Sequence, residues 1–286
     1  MKKSKEERNG KSVKNTVLTF KKAKEEGRKL TMLTGYDYTV ARIIDEAGIN
    51  AILVGDSLGN VMLGYPDTVS VTVEDMIHHS ASVARAVKSA MVVCDMPFMS
   101  YETSVEEALK NAGRLMKEGR ANAVKLEGGA EYAAQVRAMV NAGIPVMGHL
   151  GLTPQSVNVL GGNRVQGKNL AAAQKLMDDA KALEKAGAFA VVLECVPALL
   201  AEKISKALQI PTIGIGAGAG CDGQVLVYQD MLGISGFKPK FCKQFANLGE
   251  IMTGAIKNYI EEVESGVFPA EENCFEIDTK IVEEVK

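Results

Sequence analysis

The most constraining feature of this sequence is an alternation. Short, continuous apolar runs recur along the chain, and each is followed by a longer segment whose apolar residues return with helical period. The runs lie at Leu30–Thr34, 50–55, 91–94, 121–126, 144–148, 189–193 and Thr212–Ile215. Several read as unbroken Val, Ile, Leu and Ala, without the polar alternation of a strand that has one wet face. Strands buried on both faces have this composition, as in a parallel sheet covered by helices. The segments between them read as helices. In 72–90, Val73, Met76, Ile77, Ala81, Ala84 and Val87 fall on one helical face. Thr72 and Asp75 form a capping pair at its start. Ser104 and Glu107 form a capping box for a helix over 104–118, with Ala108, Leu115 and Met116 facing inward and Gly119 ending it. Further helices are predicted over 174–186, ending at Gly187, and over 198–208, ending before Pro211.

The order strand, helix, strand, helix places the chain in the α/β class with right-handed crossovers. A closed barrel and an open doubly wound sheet both fit it. An eighth strand is the weak point: residues 236–241 are the candidate, broken by Pro239. With 286 residues and 47% hydrophobic composition, the chain has enough material for one large core. No composition shift marks a boundary, so residues 1–286 read as a single domain with ragged ends: a basic extension over 1–15 and an acidic tail over 268–286. Such runs are usually solvated.

The polar residues are informative by position. Run 50–55 ends in Asp56-Ser57, run 91–94 in Asp95, and run 121–126 contains Lys125 and ends in Glu127. Run 144–148 ends in His149, and run 189–193 in Glu194. Any one of these has a plain explanation. Asp56 or Asp95 can be the N-cap of the next helix, His149 a scaffold histidine, and Lys125 a salt-bridge partner. His78 and His79 fall within a helix and read as structural or exposed. Five successive strands delivering such groups to one edge is different, because charge at the end of a buried strand is costly unless it is paired or binds something. In a barrel that edge is the mouth where active sites form. Two aspartates and a glutamate, with no cysteine ligand, suit a hard cation such as Mg²⁺, which prefers oxygen ligands and keeps waters. A 2-oxo acid would chelate such an ion through its carboxylate and keto oxygen. The metal would then acidify the adjacent carbon, Lys125 would offset substrate charge, and Glu194 would serve as base.

Two glycine-rich segments remain. The run from Gly214 to Gly220 can be read as a phosphate cradle or as a tight loop that admits a close neighbour. It lacks Walker spacing and opens no immediate helix, which favours the tight loop. Residues 161–167 form a long polar loop after the fifth strand, a candidate lid over the mouth.

Net charge is −2, which gives no bulk electrostatic case for nucleic acid or an acidic membrane. The start lacks the apolar core of a secretory signal, and no apolar run reaches the ~18 residues of a membrane span. Cys94, Cys195, Cys221, Cys242 and Cys274 are scattered, with no paired spacing. Reduced thiols in a cytoplasmic protein are the simple reading.

Seven segments also carry a family resemblance. They are Thr34-Gly35-Tyr36-Asp37-Tyr38, Val54-Gly55-Asp56-Ser57-Leu58-Gly59, Asp95-Met96-Pro97-Phe98, Val124-Lys125-Leu126-Glu127-Gly128-Gly129, Gly148-His149-Leu150-Gly151-Leu152-Thr153-Pro154-Gln155, Leu193-Glu194-Cys195-Val196-Pro197 and Ile213-Gly214-Ile215-Gly216-Ala217-Gly218. In order and spacing they resemble the ketopantoate hydroxymethyltransferases, over a span from about Thr16 to about Val267. The resemblance implies a (β/α)8 TIM barrel that transfers the one-carbon unit of 5,10-methylenetetrahydrofolate to 3-methyl-2-oxobutanoate with Mg²⁺, giving 2-dehydropantoate for pantothenate synthesis. It implies metal ligands at Asp56, Asp95 and Glu127, and substrate contacts at Asp56, Ser57, Asp95 and Lys125 with His149 nearby. It also implies a proton acceptor at Glu194 and a homo-oligomer, often a decamer.

Two rivals follow from the same residues. Barrels of the isocitrate lyase and phosphoenolpyruvate mutase type also hold 2-oxo acids on Mg²⁺, but they usually present a cysteine in a mobile loop, and 161–167 has none. A non-catalytic 2-oxo acid sensor is the other, since fold does not imply function. The intact acidic set weighs against it.

Overall fold

The computed structural model describes residues 14–162 and 164–286. The basic extension expected over 1–15 therefore lies mostly outside the described residues. Of its last two, Lys14 Nζ donates to the Ala90 carbonyl, and the Asn15 backbone and side-chain amides both donate to the Ser89 carbonyl.

Eight strands close into a parallel barrel in sequence order: β1 (Leu30–Thr34), β2 (Ala51–Val54), β3 (Met91–Asp95), β4 (Ala123–Glu127), β5 (Val146–Gly151), β6 (Ala190–Glu194), β7 (Thr212–Ile215) and β8 (Gly223–Leu226). β8 pairs with β1 over four residues, which closes the ring and excludes the open sheet. The helices are α1 (Val17–Glu25), α2 (Tyr38–Glu46), α3 (Leu58–Val61), α4 (Val73–Ala86), α5 (Val105–Lys117), α6 (Ala133–Asn141), α7 (Val157–Leu160), α8 (Leu170–Ala186), α9 (Ala198–Ala207), α10 (Tyr228–Met231), α11 (Leu248–Ser265) and α12 (Thr279–Glu284).

Seven of the eight strands lie where the apolar runs put them, within one to three residues at either end. The eighth does not. Residues 236–241 form no strand, and β8 instead follows the glycine run directly, with no helix between β7 and β8. Its sequence, Gly-Gln-Val-Leu, has no continuous apolar run because only one of its faces is buried: Gln224 is exposed while Gly223 and Val225 are not.

Helix signals were read well at starts and less well in detail. Thr72 and Asp75 make the reciprocal capping box of α4. Ser104 caps α5 by accepting from Glu107 N, but the Glu107 carboxylate accepts from Asn111 instead of closing the box. Ala108 and Leu115 are buried, and Met116 is only half so. α8 begins four residues before the predicted 174, because Asn169 caps it through Ala172 N, and it ends at left-handed Gly187 as expected.

The barrel floor is apolar. Leu30, Met32, Ala51, Leu53, Met91, Val93, Ala123, Met147, Ala190, Val192, Ile213 and Val225 form one cluster, plugged by Phe20 and Ala23 of α1. Phe20 meets Phe189 edge to face at 5.4 Å. Burial of this kind contributes about 25 cal/mol per Å² of apolar surface.

The chain falls into two compact units. The barrel unit runs to Tyr228 and takes in Pro239–Lys243; the second comprises Gln229–Lys238 and Gln244–Lys286. In the second, α11 ends at left-handed Gly266, and Tyr259 packs against Phe268 at 5.8 Å. No helix among the described residues is long and apolar enough to cross a membrane, and none of the five cysteines is in a disulfide.

Candidate active site

Side chains alternate across a strand, so positions two apart share a face. Counting up from the floor therefore says what points into the barrel at its mouth. From Met91 and Val93, the next inward position is Asp95. From Ala123 it is Lys125, then Glu127. From Met147 it is His149, and from Ala190 and Val192 it is Glu194. Register brings them level: Asp95 pairs with Lys125, Glu127 with His149, and Gly151 with Glu194. Asp56 joins them from the loop after β2. Neither Asp56 nor Asp95 caps a helix; Ser57 and Ser104 stand at those positions. The group is deeply enclosed, with Asp56, Asp95, Lys125, Glu127 and His149 each 3–4% exposed, while Glu194 is half-buried.

The contacts are dense. Lys125 Nζ stands 3.0 Å from Asp95 Oδ1 and 3.2 Å from His149 Nδ1. The first of these is an ion pair poorly aligned for a hydrogen bond, so Asp95 Oδ1 lacks a hydrogen-bond donor. Asp95 Oδ2 accepts from Asp56 N at 3.1 Å. His149 bridges two acids, with Nδ1 at 3.4 Å from Glu127 Oε1 and Nε2 at 3.2 Å from Glu194 Oε2. Neither contact is aligned as a hydrogen bond, so each is an ion pair when the ring is protonated; the hydrogen-bond partner of Nδ1 is Lys125 Nζ.

Acids outnumber cations here, and the protonation equilibria respond. Asp56 is pushed well above the usual carboxylate range by burial first, then by the Asp95 and Glu127 charges, against the pull of Lys125. Burial opposes the charge on Lys125, but Asp95, Glu127 and Asp56 outweigh it, and its pKa is raised. Burial and Lys125 also oppose charge on His149; its pairing with the Glu127 and Glu194 carboxylates wins and raises it to about 9. Among the described residues, no three His, Cys, Asp or Glu side chains form a ready-made cage for an ion. The donor set nonetheless fits a hard cation that keeps part of its water shell and takes only one or two carboxylates directly. It offers three buried carboxylates and an excess of negative charge.

Of the sequence-predicted residues, Ser57 makes a different contact from the rest: its Oγ meets the Tyr36 hydroxyl at 2.8 Å. Three buried residues were not foreseen. Tyr36 supports Ser57, and its own carbonyl meets His79 Nδ1 at 2.7 Å, which gives His79 the structural role expected of it. Tyr101 and Gln155 lie beneath Asp56 and Glu127. Tyr36 and Gln155 sit inside two of the seven family-like segments; Tyr101 carries no sequence signal.

The glycine run after β7 is the tight loop. A Cβ on Gly218 would lie 2.6 Å from that of Ala198, and one on Gly220 would lie 2.6 Å from that of Glu202, so the loop can hug α9 only without side chains. Lys29 Nζ pins it through the Ala219 and Cys221 carbonyls. The 161–167 loop reaches the β6 side, where Gln166 N donates to the Cys195 carbonyl at 2.9 Å, next to Glu194.

The family model described as ketopantoate hydroxymethyltransferase matches residues 14–271. The 3-methyl-2-oxobutanoate hydroxymethyltransferase of Clostridium novyi is 65% identical over 96% of this chain and the whole of that protein. Those of Enterococcus faecalis and Clostridioides difficile are 64% and 58% identical, each over 96% of this chain and all of theirs. Among solved structures, a phosphonopyruvate hydrolase complex with oxalate and Mg²⁺ superposes with TM-score 0.60 at 12% identity, over 94% of each chain. A 2,3-dimethylmalate lyase superposes with TM-score 0.58 at 16% identity, over 94% of this chain and 90% of that one. At such identities these two likenesses concern the barrel alone.

Proposed function

The chain belongs to the ketopantoate hydroxymethyltransferase family, and from that premise we propose that it transfers the one-carbon unit of 5,10-methylenetetrahydrofolate to 3-methyl-2-oxobutanoate, forming 2-dehydropantoate for pantothenate synthesis. Asp56, Asp95 and Glu127 would hold Mg²⁺, whose chemistry when bound is to polarise the keto oxygen of the substrate and acidify the carbon beside it. Lys125, enclosed among those acids, faces the substrate carboxylate and offsets its charge. Asp56 and Ser57 line the same end of the substrate. Glu194 Oε2 takes the proton from the branched carbon, and that carbon forms the new bond to the folate methylene as both methylene C–N bonds break, one water supplying the hydroxyl oxygen and tetrahydrofolate leaving. His149, with Nε2 3.2 Å from Glu194 Oε2, holds Glu194 by charge when its ring is protonated. The half-burial of Glu194 suits a base that must meet both reactants, since the folate arrives from outside the mouth.

The observation that carries this reading is the alignment of five inward-facing groups on β3 to β6, with a base candidate 3.2 Å from an orienting histidine. The lyase or mutase alternative shares the barrel at 12–16% identity, against 58–65% for the transferases, so the transferase reading is preferred. We place the enzyme in the cytoplasm as a homo-oligomer, a decamer by family resemblance, whose partners are small molecules and neither nucleic acid nor membrane. Light scattering of the purified chain tests the assembly.

The chemical test is proton exchange at the branched carbon of 3-methyl-2-oxobutanoate in D₂O, followed by NMR with and without Mg²⁺. Metal-dependent exchange is expected, falling roughly 10²- to 10⁴-fold in Glu194→Gln with substrate affinity little changed. Near-normal turnover in that variant would remove Glu194 from the role of base. Turnover without methylenetetrahydrofolate would point to the lyase alternative.

A further inference from the structure

The acids of the mouth are held in place by a residue that carries no charge. Gln155 follows Pro154 in a single 3-10 turn, Pro154–Ser156, just beyond β5. The first amides of such a turn have no partner within it, and Gln155 N donates outward, to Glu127 Oε2 at 3.0 Å. Its side chain is 5% exposed. Nε2 donates to Asp56 Oδ2 at 2.7 Å and to the Met96 carbonyl at 2.9 Å. Oε1 stands 2.9 Å from the Tyr101 hydroxyl.

The orientation of the amide is unambiguous. With Asp56 ionised, as a metal ligand would be, the turned-over amide would set Oε1 against a carboxylate and a carbonyl, three acceptors with no proton among them. Tyr101 fixes it further. Its oxygen accepts from Glu127 N at 3.3 Å, and its single proton is shared between Gln155 Oε1 and the Glu127 carbonyl at 3.0 Å. One residue from the loop after β5 thus ties down the ends of β2, β3 and β4, and engages one oxygen on each of two acids that repel each other. A lysine or arginine could hold the same acids, but it would also cancel the negative charge that makes the site attractive to a cation. The amide holds them without cancelling it.

The geometry points to Gln155 as the positioning residue that fixes Asp56 and Glu127 in one arrangement and so sets the affinity of the site for its divalent cation. This rests on the function proposed above. Groups that hydrogen-bond to ligating carboxylates typically change metal affinity 10- to 100-fold when removed.

The test is calorimetric titration of Mg²⁺ into the full chain without substrate, together with the Mg²⁺ dependence of turnover. Gln155→Met keeps the length and the backbone donor to Glu127 but removes the side-chain donor to Asp56. Its dissociation constant for Mg²⁺ should rise roughly 10- to 100-fold, and turnover should return towards the wild-type value once Mg²⁺ is saturating. A purely structural role would lower the unfolding temperature in EDTA and leave turnover depressed at every Mg²⁺ concentration. Binding within twofold of wild type, or turnover that excess Mg²⁺ does not restore, overturns the inference. If Gln155→Met does not fold, Tyr101→Phe frees Oε1 while sparing the Asp56 contact. It should weaken Mg²⁺ binding in the same direction but less, and an unchanged affinity there also overturns it. Failure of the wild-type chain to bind Mg²⁺ would instead sink the metal assignment itself. Wild-type binding with an unaltered variant sinks only the positioning role.

Discussion

Gly151 offers a way to move the proposed base without touching it. The residue ends β5 opposite Glu194, with φ +96°, and a Cβ there would lie 2.2 Å from the Glu194 carbonyl oxygen and 2.7 Å from Val196 Cγ2. Gly151→Ala therefore incurs two penalties. The left-handed backbone costs about 1–3 kcal/mol for a residue with a Cβ, and overpacking costs about 1–3 kcal/mol more. Relief requires the Glu194 backbone to retreat by roughly 1 Å, and a displacement of that size costs on the order of 100-fold in rate when it falls on a catalytic group. The retreat also strains the bond from Leu152 N to the Glu194 carbonyl, 2.8 Å as it stands. The expected outcome is a kcat about two orders of magnitude down with KM for the 2-oxo acid nearly unchanged, alongside a lower unfolding temperature. Gly143→Ala is the control. Gly143 also has positive φ, +83°, but open space where its Cβ would go, so it should lose stability by about 1–2 kcal/mol and keep its kcat. Steady-state turnover and thermal unfolding of both variants decide the matter. If Gly151→Ala loses stability yet keeps kcat within threefold, the position of Glu194 does not limit the reaction, and the assignment of the base is wrong.

Two further predictions concern stability. The Asp45 carboxylate accepts from the backbone amides of Lys88, Ser89 and Ala90 and from Ser89 Oγ, at 2.6–3.0 Å; burial opposes its charge, but these donors win and hold its pKa below the ordinary value. That contribution is present in full above the unfolded value near ~4 and is lost as pH falls through the depressed folded value, so Asp45→Asn should cost roughly 2–4 kcal/mol at neutral pH and flatten the acid limb of a denaturation series; an unchanged acid limb would refute it. Phe20→Ala should cost about 3–5 kcal/mol by emptying the floor of the barrel while leaving kcat intact, since the floor lies at the opposite end from the mouth; a matching loss of kcat would show that the two ends are coupled.

Most of the barrel was legible because six strands, β2 to β7, are buried on both faces and so spell out continuous apolar runs; β1, with Thr31 exposed, still reads as a run because its other residues are apolar or Thr. β8 was not. Gly223 and Gln224 are acceptable in a strand with one exposed face, and the missing helix before it removed the rhythm by which the others were found. The charged site was legible for the same reason that the strands were: Asp95, Lys125, His149 and Glu194 occupy inward positions of otherwise apolar runs, where charge needs a reason. Its support was not. Gln155 and Tyr101 are neutral residues in loops, and nothing in composition or period separates them from surface residues. Only the enclosed three-dimensional contacts reveal that Gln155 engages two acids and Tyr101 orients its amide. The half-formed capping box at Ser104 teaches a related point, since Glu107 had a second partner, Asn111, that the spacing rule does not see.

The division of labour between floor and mouth explains why one barrel can hold so much buried charge. The lower inward layer is uniformly apolar and supplies the stability, while the upper layer on the same strands carries four acids against one lysine and one histidine. Left to itself, that layer is destabilising: burial and mutual repulsion drive Asp56 towards its neutral form. A divalent cation held by Asp56, Asp95 and Glu127 would reverse the sign of the interaction, because each of these acids would then meet a positive charge. The same imbalance that weakens the site without a metal would therefore strengthen metal binding, and Lys125, confined among the acids, would keep its charge for the proposed substrate carboxylate. Gln155, which adds donors without adding charge, is the kind of residue such a site requires. Any substitution there that brought in a cation would be expected to raise the stability of the metal-free protein and weaken its hold on Mg²⁺ together.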